Sequence, residues 1–223
     1  MARRLALGVG QTAREQAVSE RAQRESEVRG LCEQGELPRA VAVALELYGG
    51  EIVGFLAATG ERDDSVAEIH SELCETLCAE LARFAWRSSL RTWMYALARN
   101  ARHRCRDRAR RGDRLVPLSQ VPEVVAQPAT SLAAYKRSTM KERLAMARAR
   151  LAIDERELLV LRVDRGLAWA DIASILEDGK DGKDGERSDA ELARAAAALR
   201  KRFERTMEKL KRLFAELAPP QRE

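Results

Sequence analysis

The sequence predicts an all-α fold: two small helical domains joined by a proline-containing linker. Three observations predict it. Aromatic residues make up only 4% of the chain, and strand-type runs of Val, Ile, Thr and Tyr are nearly missing. Apolar residues recur at three- and four-residue spacing in several long segments. Between two groups of such segments, Pro117, Pro122 and Pro128 punctuate residues 112–131 at a spacing that forbids a continuous helix. With 223 residues, 45% of them hydrophobic, the chain suits one medium core or two small ones, at roughly 100–200 residues per domain. The boundaries read as a helical extension over 1–36, a first domain over 37–111, a linker over 112–139, a second domain over 140–217 and a tail over 218–223.

The elements follow in order. Residues 11–35 are rich in Arg, Glu, Gln and Ala and read as a solvated helix or frayed tail. Pro38 suits a first helical turn, and Arg39–Phe55 carries Val41, Leu45, Tyr48, Ile52 and Phe55 near helical period. Gly49, Gly50 and Gly54 weaken that helix locally, and Gly60 ends it. Asp64 suits an N-cap for a helix with Val66, Ile69, Leu73, Leu77 and Leu81 on one face. Phe84 to Ser89 reads as a loop whose last residue caps a long helix. That helix has a buried stripe of Leu90, Trp93, Met94, Leu97, Ala101, Cys105 and Ala109. Arg99, Arg102, Arg106 and Arg110 form a second stripe, Arg104, Arg108 and Arg111 a third, and Gly112 stops the helix.

Beyond the linker, helical pattern resumes near Leu132. Asp154 and Glu157 read as a capping box before Leu158, Leu159, Leu161 and Val163, with Gly166 as the stop. Leu167–Leu176 is a short amphipathic helix. GKDGKDGE, residues 179–186, reads as a flexible loop. Ser188 and Glu191 make a second capping box for a helix that runs to about Leu217, before Pro219 and Pro220.

Net charge is +5, which suits a polyanionic partner. Its distribution says more. Residues 61–80 carry seven acidic residues against Arg62 alone, and residues 99–114 carry eight arginines against two aspartates. Residues 199–212 add seven basic residues against two acidic ones. One acidic helix beside one basic helix suits two different partners.

Several classes are set aside. No apolar run approaches the roughly 18–20 residues of a membrane span, and LALGVG near the start is too short for a signal-peptide core, so no membrane insertion and a cytoplasmic location are expected. Cys32, Cys74, Cys78 and Cys105 are then expected to stay reduced. His70, Cys74 and Cys78 share one helical face, which suits three metal ligands or a packing face of small residues. With no CxxC and no fourth ligand, neither a metal nor another cofactor is expected. No nucleophile with a placed base and no P-loop appears, so no catalytic residues are expected and the chain does not read as an enzyme.

FAWRSSLRTWMYALARN, Phe84 to Asn100, followed by the arginine-rich segment, resembles the second conserved region of bacterial RNA polymerase sigma factors of the extracytoplasmic-function group. That region reads as a phenylalanine, a short polar loop, Ser-Leu-Arg-Thr-Trp-Leu, Ile-Ala-Arg-Asn and a basic helix. This chain has Ser89-Leu90-Arg91-Thr92-Trp93-Met94 and Leu97-Ala98-Arg99-Asn100. The resemblance implies capture of the promoter −10 element by Phe84, Trp86, Arg87, Ser88, Ser89, Arg91, Arg99, Asn100, His103, Arg104, Arg106, Arg108, Arg110 and Arg111. The chemistry fits. Basic faces track phosphates, aromatic and guanidinium planes hold unstacked bases, and small polar side chains hydrogen-bond their edges. Phe84 and Trp86 are equally readable as core.

The acidic helix resembles the family's polymerase-docking helix, Asp-Leu-Val-Gln-Glu-Thr-Phe. Here it reads Glu68-Ile69-His70-Ser71-Glu72-Leu73-Cys74, with both carboxylates kept in type. The resemblance implies docking of Glu68, Ile69, Ser71, Glu72 and Glu75 onto core RNA polymerase, its β′ and β subunits, with Glu72 leading.

Glu155–Arg162 and Gly166–Ala173 resemble the family's fourth conserved region, a helix-turn-helix, with Ala168 in place of a capping serine. Leu199-Arg200-Lys201-Arg202-Phe203-Glu204-Arg205 resembles its recognition helix, implying −35 contacts from Arg200, Lys201, Arg202 and Arg205. The segment before Ser188 is longer than the usual three- or four-residue turn. Either the recognition helix is extended by about two turns or a separate short helix precedes it, and only the first places Arg194 on the groove. The resemblance thus implies a sigma factor that binds core polymerase and promoter DNA, with an anti-sigma protein as a further partner the family admits. The alternative is a helix-turn-helix regulator acting without polymerase. A protein-binding helical adaptor is a third reading, disfavoured by two separate basic helices.

Overall fold

The computed structural model describes residues 19–111, 132–177 and 188–217. The segment before residue 19, the prolines of 112–131, Gly112, the Gly/Lys/Asp stretch and the tail from 218 lie outside the described residues. Among the described residues every regular element is helical. They are α1 (19–33), α2 (Leu37–Ala58), α3 (Asp63–Glu80), α4 (Leu90–Arg111), α5 (Leu132–Ala149), α6 (Ile153–Leu159), α7 (Trp169–Glu177) and α8 (Asp189–Glu216).

α1 is more than a solvated extension. Val28 and Leu31 are buried in the core, and Gly35, at φ +79°, turns the chain so that the Glu36 N–H donates to Leu31 O at 2.9 Å. α2 begins at Leu37, with Pro38 in its first turn, and runs unbroken past Gly49, Gly50 and Gly54. Its buried face holds Val41, Ala44, Tyr48, Ile52 and Phe55, with Ala44 where Leu45 was expected. α2 is also long and apolar enough to cross a membrane by length and composition, against the expectation of no such run. That apolarity packs the core: Ala40, Ala44, Ile52, Phe55 and Leu56 are wholly buried. Burying each large side chain of this kind contributes about 1.5–3 kcal/mol.

α3 buries Val66, Ile69, Leu73 and Leu77, as its spacing predicts. It starts two residues earlier than expected, with Arg62 at the N-cap position in place of Asp64 and no side-chain cap; Asp63 and Asp64 instead favour the positive end of the helix dipole. After a 3-10 turn at Leu81–Arg83 and the loop to Ser89, α4 packs lengthwise on α3. Ser89 caps it as expected, its Oγ accepting the Thr92 N–H at 3.0 Å. Leu90, Met94, Leu97, Ala101 and Cys105 are buried, whereas Ala109 is exposed.

The C-terminal half begins with α5 and α6. The expected Asp154–Glu157 box is displaced by two residues. Ala152 is the N-cap, Glu155 accepts its N–H at 2.8 Å, and Glu157 is free to point inward. A π-helical turn, Val160–Asp164, leads to Gly166 at φ +65°, and Val163 in that turn faces solvent. α8 has the predicted box: Ser188 Oγ accepts the Glu191 N–H, and Glu191 accepts the Ser188 N–H at 3.0 Å. The two halves share one core. Leu158, Leu161, Leu167, Ile172 and Ile175 join the cluster built by α1–α4, while Ala147, Leu151, Leu159 and Leu210 form a smaller one between α5, α6 and α8.

Candidate nucleic-acid and protein interface

The aromatic loop is ordered by stacking. Phe84 lies 4.5 Å from Trp93, centroid to centroid, at an interplanar angle of 16°, and Trp86 packs on Phe84 at 4.9 Å. Trp86 has φ +56°, the left-handed region that a bulky residue rarely adopts. The Arg29 guanidinium of α1 sits 5.7 Å over its ring. Phe84, Trp86 and Ser88 are half-buried, and Arg87 and Ser89 are exposed. Core packing and a surface aromatic platform are therefore combined in one trio. Ser89 Oγ is occupied by the α4 cap and lies 2.8 Å from Thr92 Oγ1.

Most of the arginine helix is paired within the chain. Arg91 bonds Glu51, which also accepts the Tyr95 hydroxyl at 2.9 Å, and donates to Arg165 O at 3.0 Å. Burial pushes the Glu51 carboxyl up, but Arg91 outweighs it and holds it below the usual range. Arg99, with an 11% exposed side chain, lies 3.1 Å from Glu157; Asn100 is half-buried. Arg104 pairs with Glu72, Arg106 with Glu61, and Arg108 with both Glu68 (3.1 Å) and Glu72. Desolvation and the charges of Arg99 and Arg102 hold the His103 imidazole below its ordinary value, so it is neutral at pH 7. At the far end, the Arg110 side chain is 80% exposed and Arg111 is exposed.

The opposing wall is α3. Glu68, Ser71, Glu72, Glu75, Thr76 and Glu80 line a cleft of about 520 Å³ with Arg104 and Arg108. Ile69 is not on it: its position on α3 buries it completely in the core, which corrects its expected docking role. Burial raises the Glu72 carboxyl, yet hydrogen bonds from Arg104 and Arg108 hold it below its usual value. Burial and the bond to Glu72 push the Cys105 thiol up to about 12. His70 Nδ1 and Cys74 Sγ are 3.8 Å apart, and no group of three or more His, Cys, Asp or Glu that could hold a metal occurs among the described residues.

α8 decides between the two sequence alternatives: it is one continuous helix from Asp189, so the extension belongs to it. Arg194, Lys201 and Arg205 are exposed and fall on one stripe. Arg200 is exposed beside them, 6.0 Å from the Trp169 ring. Arg202 is only half-exposed and lies 3.3 Å from Asp154. Leu199 is buried and Phe203 packs edge-on against Trp169 at 5.5 Å, which fixes α8 on α7.

No family model and no curated protein matches the chain. The residues that sequence reasoning missed are the carboxylates Glu25, Glu51, Glu61 and Glu157. Each meets its arginine or amide partner from tens of residues away. Glu157 alone left a local trace, a charge among Leu158, Leu159 and Leu161.

Proposed function

We propose that this chain is a sigma factor of the extracytoplasmic-function type. It would bind core RNA polymerase in the cytoplasm, bring it to promoters, and perform no bond-making chemistry itself. The observation that carries the reading is the make-up of α4: the Ser89–Asn100 run, an aromatic stack at its start and arginines toward its end. The acidic cleft of α3 lies alongside it, which suits docking on a basic element of the polymerase. α7 and α8 would read −35 DNA as a helix-turn-helix with an extended recognition helix, through Arg200, Lys201 and Arg205 foremost. The two-domain division belongs to this proposal, with the linker, expected over 112–139, running along the polymerase and giving way to α5 at Leu132.

The deciding experiment is binding of the purified chain to core polymerase in competition with a housekeeping sigma factor. Glu72→Lys should weaken that binding at least tenfold with helicity unchanged. No binding by the folded wild-type chain would overturn the proposal. One observation favours the second reading, a duplex-binding regulator. The α4 arginines are largely paired, which leaves α8 as the most open basic surface. Preference for closed duplex over fork-junction DNA would select it.

A further inference from the structure

The contact between the halves is unusual in its chemistry. From the first half, α4 contributes Arg91, Thr92, Arg99 and Arg102; from the second come Arg156, Glu157, Arg165 and Asp171. Glu157 is at its centre. Its side chain is 1% exposed and lies 2.9 Å from Arg102 Nη2 and 3.1 Å from Arg99 Nε. Arg102, also 1% exposed, is wedged between Thr59 Oγ1 at 3.4 Å and the Phe55 ring at 6.0 Å. Around this core Arg91 donates to Arg165 O, and Thr92 Oγ1 meets Asp171 at 3.2 Å.

Two glycines of the first half make room for cations of the second. A Cβ on Gly54 would lie 2.8 Å from Arg165 Nη2, and one on Gly60, at φ +90°, would collide with Arg156 Nη1. Yet the seam is poorly satisfied. Arg99 Nε and Nη1, Arg102 Nε, Arg156 Nε, Arg165 Nε and Glu157 Oε1 itself are buried there without a hydrogen-bond partner, so Glu157 meets the two arginines as an ion pair only. A buried donor with no acceptor costs free energy. A permanent core would not gather guanidinium groups in excess of carboxylates. A surface that exchanges one anionic partner for another would.

We propose that the packing of α6 and α7 against α4 is a latch. Glu157 occupies, from within the chain, the place beside Arg99 and Arg102 that nucleic-acid phosphates take once the halves part. Closed, the chain hides those arginines. Opened, they join the exposed Arg110 and Arg111 on one helix. The phosphate ligand rests on the nucleic-acid reading above; the closure itself does not.

Two variants of the full chain test it. Glu157→Gln leaves Arg99 and Arg102 uncompensated when closed. Gly54→Leu leaves Glu157, Arg99 and Arg102 unaltered and intrudes on the seam at Arg165, whose guanidinium Nη2 lies 2.8 Å from where the new Cβ would sit. Solution scattering should give a larger radius of gyration for both variants, with helicity unchanged by circular dichroism. A fluorescent single-stranded DNA oligonucleotide should bind both roughly tenfold more tightly, because the competent state is no longer scarce. Wild-type dimensions in both folded variants would overturn the latch. Expansion with unchanged, measurable affinity would overturn the role of Glu157 as a phosphate substitute. No DNA binding by any form, wild type included, would remove the nucleic-acid reading; expansion in the same samples would still establish the latch. Should Glu157→Gln fail to fold, Gly54→Leu carries both readouts.

Discussion

Glu25 lies sixty-five residues before the helix it caps. Its carboxylate accepts the N–H groups of Leu90 and Arg91 at 3.3 and 3.2 Å, and the Tyr48 hydroxyl at 2.6 Å. Those amides open α4 and have no acceptor within it. Glu25→Ala should therefore cost about 1–2 kcal/mol, read as a lowered thermal midpoint, with Glu25→Gln recovering part of it. An unchanged midpoint would mean that water serves the amides equally well. At this scale, legibility followed sequence distance. The Ser188–Glu191 box spans three residues and was readable. The box before α6 was misplaced, because Ala152 offers no capping side chain and two acidic residues follow within reach. Glu25 and Glu157 act on partners the sequence does not bring near.

α3 and α4 show the same limit between elements. Their apolar stripes were readable from spacing, since each reports its own helix. Their charge blocks, one acidic and one basic, suggested two external partners. In the structure they meet each other first, because the register of α3 on α4 sets Glu68 and Glu72 against Arg104 and Arg108. The Glu72 carboxyl is held below its usual value, so the unfolded chain takes up its proton first as the pH falls. The stability this pairing lends is complete above the ordinary carboxylate value of about 4.3 and is lost as pH drops through the lower folded value. Arg108→Ala should thus cost up to about 1 kcal/mol at pH 7. The gap in thermal midpoint between wild type and variant should close as pH falls below about 4. A gap that stays constant would show that Arg108 stabilises by packing rather than charge.

Over the whole molecule, the sequence shows two helical groups but not their common core. One hint was present. α7 is apolar on more than one side, with Ile172, Ala173, Ile175 and Leu176 all buried, as a helix between two neighbours must be. Here the neighbours are α8 and α4. That arrangement leaves α8 facing outward with Arg194, Arg200, Lys201 and Arg205. Replacing Arg200, Lys201 and Arg205 together by Ala should weaken duplex DNA binding and flatten its dependence on salt by nearly three released counterions. Titration of a labelled duplex at several salt concentrations reads both, and an unchanged slope would take α8 off the DNA. The cap supplied by Glu25 also bears on the order in which the chain assembles. α1 leaves the ribosome well before Leu90 does, so it cannot complete its docking while the chain is short. The first turn of α4 waits on a long loop closure, and this junction belongs among the last parts of the fold to form.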